Sequence, residues 1–298
     1  MLKKICFILK KKNAMEEIEG LLQELSDNLV ESCFMESAEG GLHNRFKEHK
    51  EDEEISSCMY EKKEDVLYIT DDAVWQRKLQ EDGYPVVAYL HAENREENFS
   101  FSGYAIENPA EIEYQSLELV WRRLTGRPWM ITETKRCVIR ETVTEDVGEF
   151  YEIYQDASIT EYMEDLYADR DEEIAYIKDY IKNVYGFYGY GMWTVLEKKS
   201  GRIIGRAGLN LREGYEIPEL GFVIGVPWQR QGFAYEVCMA VLQYGKAELN
   251  FTSFQAFVME GNTKSRMLCE KLGFAYREKV EMGGMLYDRM VWEESVTA

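Results

Sequence analysis

No stretch of this sequence stays apolar for long. The longest run near its start is Ile5 to Leu9, against the ~20 residues a membrane-spanning helix needs and the ~7 to 15 of a signal-peptide core, so neither a membrane segment nor an export signal is expected. Histidine is scarce as well. His43, His49 and His91 are the only three, none suggests a role, and all precede Arg136, so no Ser-His or Cys-His nucleophilic system can be built from the residues that follow it. The six cysteines, Cys6, Cys33, Cys58, Cys137, Cys238 and Cys269, never fall in C-x-x-C spacing. That argues against a zinc site or a disulfide framework, fits a reducing cytoplasm, and leaves most of them as small buried hydrophobes. Basic charge is also in deficit. Lys and Arg number 35 against 55 Asp and Glu, for a formal net charge of -20, and no basic patch is visible, which excludes nucleic acid as the expected partner.

What is present suffices for two cores. A chain of 298 residues with 45% hydrophobic content predicts two domains, set here at 1–132 and 133–298. Lys10-Lys11-Lys12 and a second methionine at Met15 suggest that the first fourteen residues are an extension or a misassigned start. From Met15 the spacing of Ile18, Leu21, Leu22, Leu25 and Leu29 predicts a helix ending near Gly40-Gly41, followed by a charged loop from His43 to Glu54. Val66 to Ile69 reads as a strand, Asp72 as the cap of a helix stopped by Gly83, and Val86 to Leu90 as a second strand, making a β-α-β unit. Asp71 and Asp72 follow a strand as the aspartate pair of haloacid-dehalogenase-like phosphatases does. That family spaces the two aspartates two apart, and Ala73 stands where the second would be needed. Tyr104 to Ile106 and a helix over about 112–124 complete a small α/β layer, and Gly126-Arg127-Pro128-Trp129 opens the linker.

The second half is organised around Glu219 to Glu236, E-L-G-F-V-I-G-V-P-W-Q-R-Q-G-F-A-Y-E. An apolar strand is stopped by Gly225 and Pro227, and Gln229 to Ala234 opens an amphipathic segment with helical spacing. Gly232 lets the backbone curl, and the first turn of a helix leaves its N–H groups unpaired beneath a partial positive charge, which is the physics of a pyrophosphate cradle. No carboxylate lies between Gly225 and Tyr235, and Arg230 adds a positive charge.

Gln229-Arg230-Gln231-Gly232-Phe233-Ala234 matches the Q/R-x-x-G-x-G/A signature of the GCN5-related N-acetyltransferase (GNAT) superfamily. Asn262-x-x-Ser265 followed by Glu270-Lys271-Leu272-Gly273-Phe274 matches its second landmark. Over residues 136–292 the chain resembles this superfamily, most closely its ribosomal-protein alanine acetyltransferases. The resemblance implies a mixed central sheet flanked by helices, so the fold class is α/β of the α+β kind, with a small α/β domain of unknown function in front.

The resemblance further implies an acetyl-CoA-dependent N-acetyltransferase acting on a primary amine by direct attack in a ternary complex. Acetyl-CoA would be held by Phe222, Val223 and Ile224 along the pantetheine arm, with Val223 and Ile224 favoured as oxyanion donors. Gln229, Arg230, Gln231, Gly232, Phe233, Ala234 and Tyr235 would hold its pyrophosphate, and Asn262 its pantetheine amide. Glu219 is the expected general base, its affinity for protons raised by partial burial; Ser265 is placed near the sulfur. Many members carry a tyrosine as the acid just before Glu270, but Cys269 stands there, either as a substitute proton donor or as an inert buried thiol. A non-catalytic acyl-CoA-binding module with a degenerate site is the alternative. Four basic against fourteen acidic residues from Arg136 to Tyr180 suggest a cationic acceptor, small molecule or protein amino terminus, drawn by Glu161, Glu164, Asp165, Asp169, Asp171, Glu172 and Glu173 among Tyr162 and Tyr167.

Overall fold

The structure, a computed structural model, describes residues 1–10, 17–38, 41–44, 62–99 and 103–293. The chain divides into two units, Met1–Arg127 and Pro128–Ala298. In the first, strands β1 (Lys4–Leu9), β2 (Glu31–Ala38), β3 (Gly41–Asn44), β4 (Val66–Thr70), β5 (Val86–Tyr89) and β6 (Ala105–Ile106) form one sheet in the order β3-β2-β1-β4-β5-β6. All neighbours are parallel except β2 and β3. Helices α1 (Glu19–Asp27), α2 (Ala73–Glu81) and α3 (Tyr114–Leu124) cover both faces. Ile5, Phe7 and Leu9 pack with Leu21, Leu25, Leu117 and Trp121 on one side, and Cys6, Ile8 and Tyr68 with Leu79 on the other.

Three expectations are corrected here. Lys4–Leu9 is no appendage: it is an inner strand bonded to β2 and β4, and its run of apolar residues is what a parallel strand buried on both faces requires. The helix expected to reach Gly40 stops at Asp27, and Glu31–Ala38 is a strand whose partner is β1 itself. With the first residues set aside, that partner was missing from the reading. Finally, Cys6 and Cys33 stand opposite each other on β1 and β2 and are joined as a disulfide, while Cys137, Cys238 and Cys269 are the free, buried thiols expected. Cys58, His49 and most of the expected 43–54 loop lie outside the described residues. Asp72 caps α2 as anticipated, its carboxylate accepting the N–H groups of Val74 and Trp75.

The second unit has an eight-stranded sheet, β13-β14-β12-β11-β10-β9-β8-β7. Its strands are β7 (Met130–Glu133), β8 (Cys137–Arg140), β9 (Met192–Glu197), β10 (Ile203–Asn210), β11 (Glu219–Ile224), β12 (Ser253–Met259), β13 (Ala275–Met282) and β14 (Met285–Glu293). Because β7 pairs with β8, this sheet begins ahead of residue 133. Its helices are α4 (Val147–Tyr154), α5 (Ala157–Thr160), α6 (Arg170–Tyr180), α7 (Phe233–Ala247) and α8 (Thr263–Lys271).

Helix α7 lays Phe233, Val237 and Val241 against Ile204, Ala207 and Leu209, each such side chain contributing ~1.5–3 kcal/mol by leaving water. A Cβ on Gly245 would come within 2.8 Å of Leu209 and Phe254, so the helix reaches the sheet this closely only because that residue has none. On the other face, Phe150, Ile153, Tyr154 and Ile159 of α4 and α5 cover Ile203 and Val223. Arg140 holds Asp146, just before α4, with two hydrogen bonds of 2.7 Å, and Thr194 adds a third at 2.8 Å. No helix among the described residues is long and apolar enough to cross a membrane.

Candidate active site

The centre of the second sheet is interrupted by design of its register. β11 and β12 are the parallel neighbours, and among the described residues Glu219↔Gln255 is their only register pair. Beyond it the two strands diverge, so the backbone of β11 from Gly221 onward has one bonded edge, against β10, and one open edge. Gly225 N–H donates to the Ile204 carbonyl, and antiparallel strands alternate bonded and unbonded positions, so Val223 and Gly221 turn their amides to β10. Phe222 and Ile224 face the opening. This corrects one candidate: the Val223 amide points at Arg206 across β10, and Phe222 takes its place beside Ile224 on the open edge.

The strand runs straight into the turn before α7. Gln229 Nε2 donates to the Ile224 carbonyl at 2.9 Å, and Gln231 Nε2 to the Pro227 carbonyl at 2.7 Å, so both side chains shape the loop. Arg230 is exposed, with φ of 61°, and Gly232 has φ of 82° as the N-cap of α7. No side chain caps this helix, which leaves the first-turn amides from Phe233 to Tyr235 presented beside Gly232, a donor set suited to a phosphate. Phe233 itself is a core residue, while Ala234 and Tyr235 are half-buried. One residue that sequence reasoning missed sits against this turn. Arg136 lies 4.0 Å over the Phe233 ring, donates to the Gln231 carbonyl at 2.9 Å and pairs with Glu236 at 2.6 Å. Burial pushes the Glu236 carboxyl up, but the Thr134 hydroxyl and Arg136 more than offset this and hold it below its usual range.

At the head of the opening, Glu219 is mostly buried and bound at both oxygens by Arg212, at 2.7 and 3.0 Å. On the β12 side, Asn262 caps α8 by accepting the Ser265 N–H at 3.1 Å, with Ser265 half-buried one turn in. Cys269 lies in the core with no exposure, beside Cys238, and burial pushes its thiol up to about 12. A sealed thiol so reluctant to ionise is a packing residue, not a proton donor to the opening.

The acidic segment divides. Asp169 caps α6 and Glu173 is buried, whereas Glu161, Glu164, Asp165, Asp171 and Glu172 are exposed. A Cβ on Gly261 would meet the Tyr162 ring at 3.6 Å, which places this segment beside the turn that leads to Asn262. Sequence reasoning also passed over Arg206, in the middle of β10. Its signal was available: a lone cation inside the apolar run Ile203-Ile204-Gly205-Arg206-Ala207 is out of place in a buried strand.

A splayed pair of parallel strands leading to an uncapped, glycine-headed helix defines an acyl-CoA-type transferase architecture. Residues 136–275, all within the second unit, match the family model described as the acetyltransferase (GNAT) domain. Among related chains, the uncharacterized protein YkkB of Bacillus subtilis (strain 168) is 28% identical over 95 residues, 31% of this chain and 55% of YkkB, so the match spans about half the length of that relative. The uncharacterized N-acetyltransferase YoaA of the same organism is 26% identical over 172 residues, 54% of this chain and 94% of YoaA. A ribosomal-protein alanine acetyltransferase structure from Vibrio fischeri superposes with a TM-score of 0.48 at 11% identity, covering 55% of this chain and 97% of its own.

Proposed function

We propose that the second unit transfers the acetyl group of acetyl-CoA to a primary amine by direct attack in a ternary complex. The observation that carries this reading is the single Glu219↔Gln255 pair between β11 and β12, after which an open strand edge leads to the uncapped start of α7. Acetyl-CoA supplies the activated thioester. The amides from Arg230 to Tyr235 hold its pyrophosphate, and the positive end of a 15-residue helix favours that charge. The open edge of Phe222 and Ile224 pairs with the pantetheine arm as an added strand would, and an N–H there receives the charge that develops on the carbonyl oxygen. Asn262 and Ser265 border the same opening from α8.

In the reaction the amine nitrogen bonds to the thioester carbon, the carbon–sulfur bond breaks, the proton lost by nitrogen goes to Glu219 directly or through water, and the thiolate takes a proton from solvent. With no histidine in the unit, a covalent acyl-enzyme route through a Ser-His or Cys-His pair has no components. The amine reaches the protein as an ammonium, and the exposed carboxylates at 161–172 raise its local concentration, so kcat/KM should fall as salt rises towards a Debye length of ~8 Å.

The test is release of the free CoA thiol from acetyl-CoA across a panel of amines, with acetyl-CoA binding measured separately by calorimetry. Binding and turnover support the proposal; binding without turnover on any amine leaves the non-catalytic module; no binding removes both.

A further inference from the structure

Arg206 is a charged side chain buried inside the second sheet. It is 8% exposed, in the middle of β10, with Thr194 opposite on one neighbour and Val223 on the other. It lies on the face away from α7, its guanidinium 4.8 Å over the Phe150 ring of α4. Its Nε is buried without a hydrogen-bond partner, and among the described residues no carboxylate lies within ion-pairing distance of it. The Tyr154 hydroxyl is its hydrogen-bonding neighbour, while the hydroxyls of Tyr180 and Tyr185 are bonded to Asn210, Thr142 and the Met192 backbone. A guanidinium cannot shed its proton as a buried lysine does, so a permanently charged group held out of water without a counter-charge is costly unless something outside the chain supplies one.

A file of packed aromatic rings links this buried charge to the surface. Tyr167, 50% exposed, lies against Tyr176, 42% exposed, at 5.8 Å between ring centroids; Tyr176 lies against Tyr180 at 6.0 Å, and Tyr180 against the buried Tyr185 at 5.2 Å. These rings form a ladder from solvent to the environment of Arg206. Glu173 stands on the same helix as Tyr176, is 2% exposed, and keeps Oε1 buried and unbonded while Oε2 accepts the Tyr167 N–H at 3.1 Å. An orphaned donor and an orphaned acceptor, both buried, thus flank one file of tyrosines. Val223, opposite Arg206, belongs to the strand whose other edge is open, and adjacent strands are ~4.8 Å apart.

We propose that Arg206 binds the carboxylate of the acyl acceptor, which makes the acceptor an amino acid or similar small amino carboxylate. The inference rests on the acetyl-transfer reading above and deepens it. The exposed carboxylates at 161–172 attract the ammonium end, and Arg206, approached past Tyr176 and Tyr180, receives the other. A guanidinium matches a carboxylate with two parallel hydrogen bonds, which an alkyl amine or a polyamine cannot offer it.

The experiment compares amines that differ only in the carboxylate, lysine against cadaverine and leucine against 3-methylbutylamine, on the wild type and on Arg206→Met and Arg206→Lys. The expected result is a kcat/KM at least ~30-fold higher for each amino acid in the wild type, a ratio near one in Arg206→Met, and an intermediate ratio in Arg206→Lys. Acetyl-CoA affinity should be unchanged in all three. Thermal unfolding separates this from a structural role, because removing an uncompensated buried charge leaves the Tm equal or higher, whereas removing a structural arginine lowers it. A wild type that prefers the decarboxylated amines, a ratio that survives Arg206→Met, or a lowered Tm in that variant overturns the proposal. If no amine releases CoA thiol, the failure is that of the acetyl-transfer reading itself.

Discussion

Gly232 offers the sharpest separation of binding from folding. Its φ of 82° is in the left-handed region, where any residue with a Cβ is strained by ~1–2 kcal/mol, so Gly232→Ala and Gly232→Trp share that loss. In a domain of this size it lowers the Tm by roughly 2–8 °C in both. Space distinguishes them. A Cβ there lies 3.6 Å from Arg136 Nη2, an ordinary contact, so alanine adds no clash. An indole must extend past that atom, displacing Arg136 or lying across the amides of Phe233 to Tyr235. Calorimetric titration with acetyl-CoA should therefore show a loss within ~10-fold for Gly232→Ala and ~100-fold or more for Gly232→Trp, about 2.8 kcal/mol. Equal losses in the two variants would mean that the strain alone is being measured. Undiminished affinity in Gly232→Trp would refute the cradle.

Glu219→Gln leaves Arg212 one acceptor and removes the base, so turnover at neutral pH should drop by ~10²-fold and recover at higher pH as free amine accumulates; a wild-type pH–rate profile would return Glu219 to a purely structural pairing. Cys269→Ala empties a little core volume, so stability should fall by ~1 kcal/mol with turnover within two-fold of wild type, and a ten-fold loss in a folded variant would restore the thiol as an acid. Asp72→Ala should destabilise the first unit by ~1 kcal/mol through loss of the α2 cap, read by chemical denaturation. Burial pushes the Asp72 carboxyl up, but Ser37, the Val74 amide and Lys10 together hold it below the ordinary 3.8, so its contribution is complete above that value and is lost as pH falls further. An acid-unfolding curve of the first unit that is the same in wild type and Asp72→Ala would contradict this. Reduction of the Cys6–Cys33 bond, 27 residues apart, should lower the first unit's stability by up to ~3.5 kcal/mol, and equal denaturation midpoints with and without reductant would show that the bond adds nothing.

Much of the second unit could be read in advance because its signals are local. Gly225-Val226-Pro227 must end a strand, an N-terminal amide cluster must follow a glycine in the left-handed region, and Asn262 precedes its helix as a cap should, so strand, turn and helix start each follow from a few adjacent residues. The same holds for Asp72 in the first unit. Where reading failed, the deciding contacts were remote in the chain. Lys4–Leu9 becomes an inner strand only when Glu31–Ala38 and Val66–Thr70 arrive on either side, and Cys6 meets Cys33 only through that pairing.

The site divides in the same way. That Phe222 and Ile224, and not Val223, turn their amides to the opening depends on a register set by β10. Glu219 receives Arg212 from a loop, and Arg136 reaches Glu236 across 100 residues. Arg206 is visible in the sequence as a cation in an apolar strand, yet its lack of a counter-charge belongs to the packed state, since it depends on which helices cover that face and what they carry. The sequence by itself therefore determined the acetyl-transferase motif and the turn that presents it, whose geometry is short-range. Which groups are paired, sealed or left waiting for a ligand was decided by the tertiary structure, because charge and burial are properties of neighbours in space.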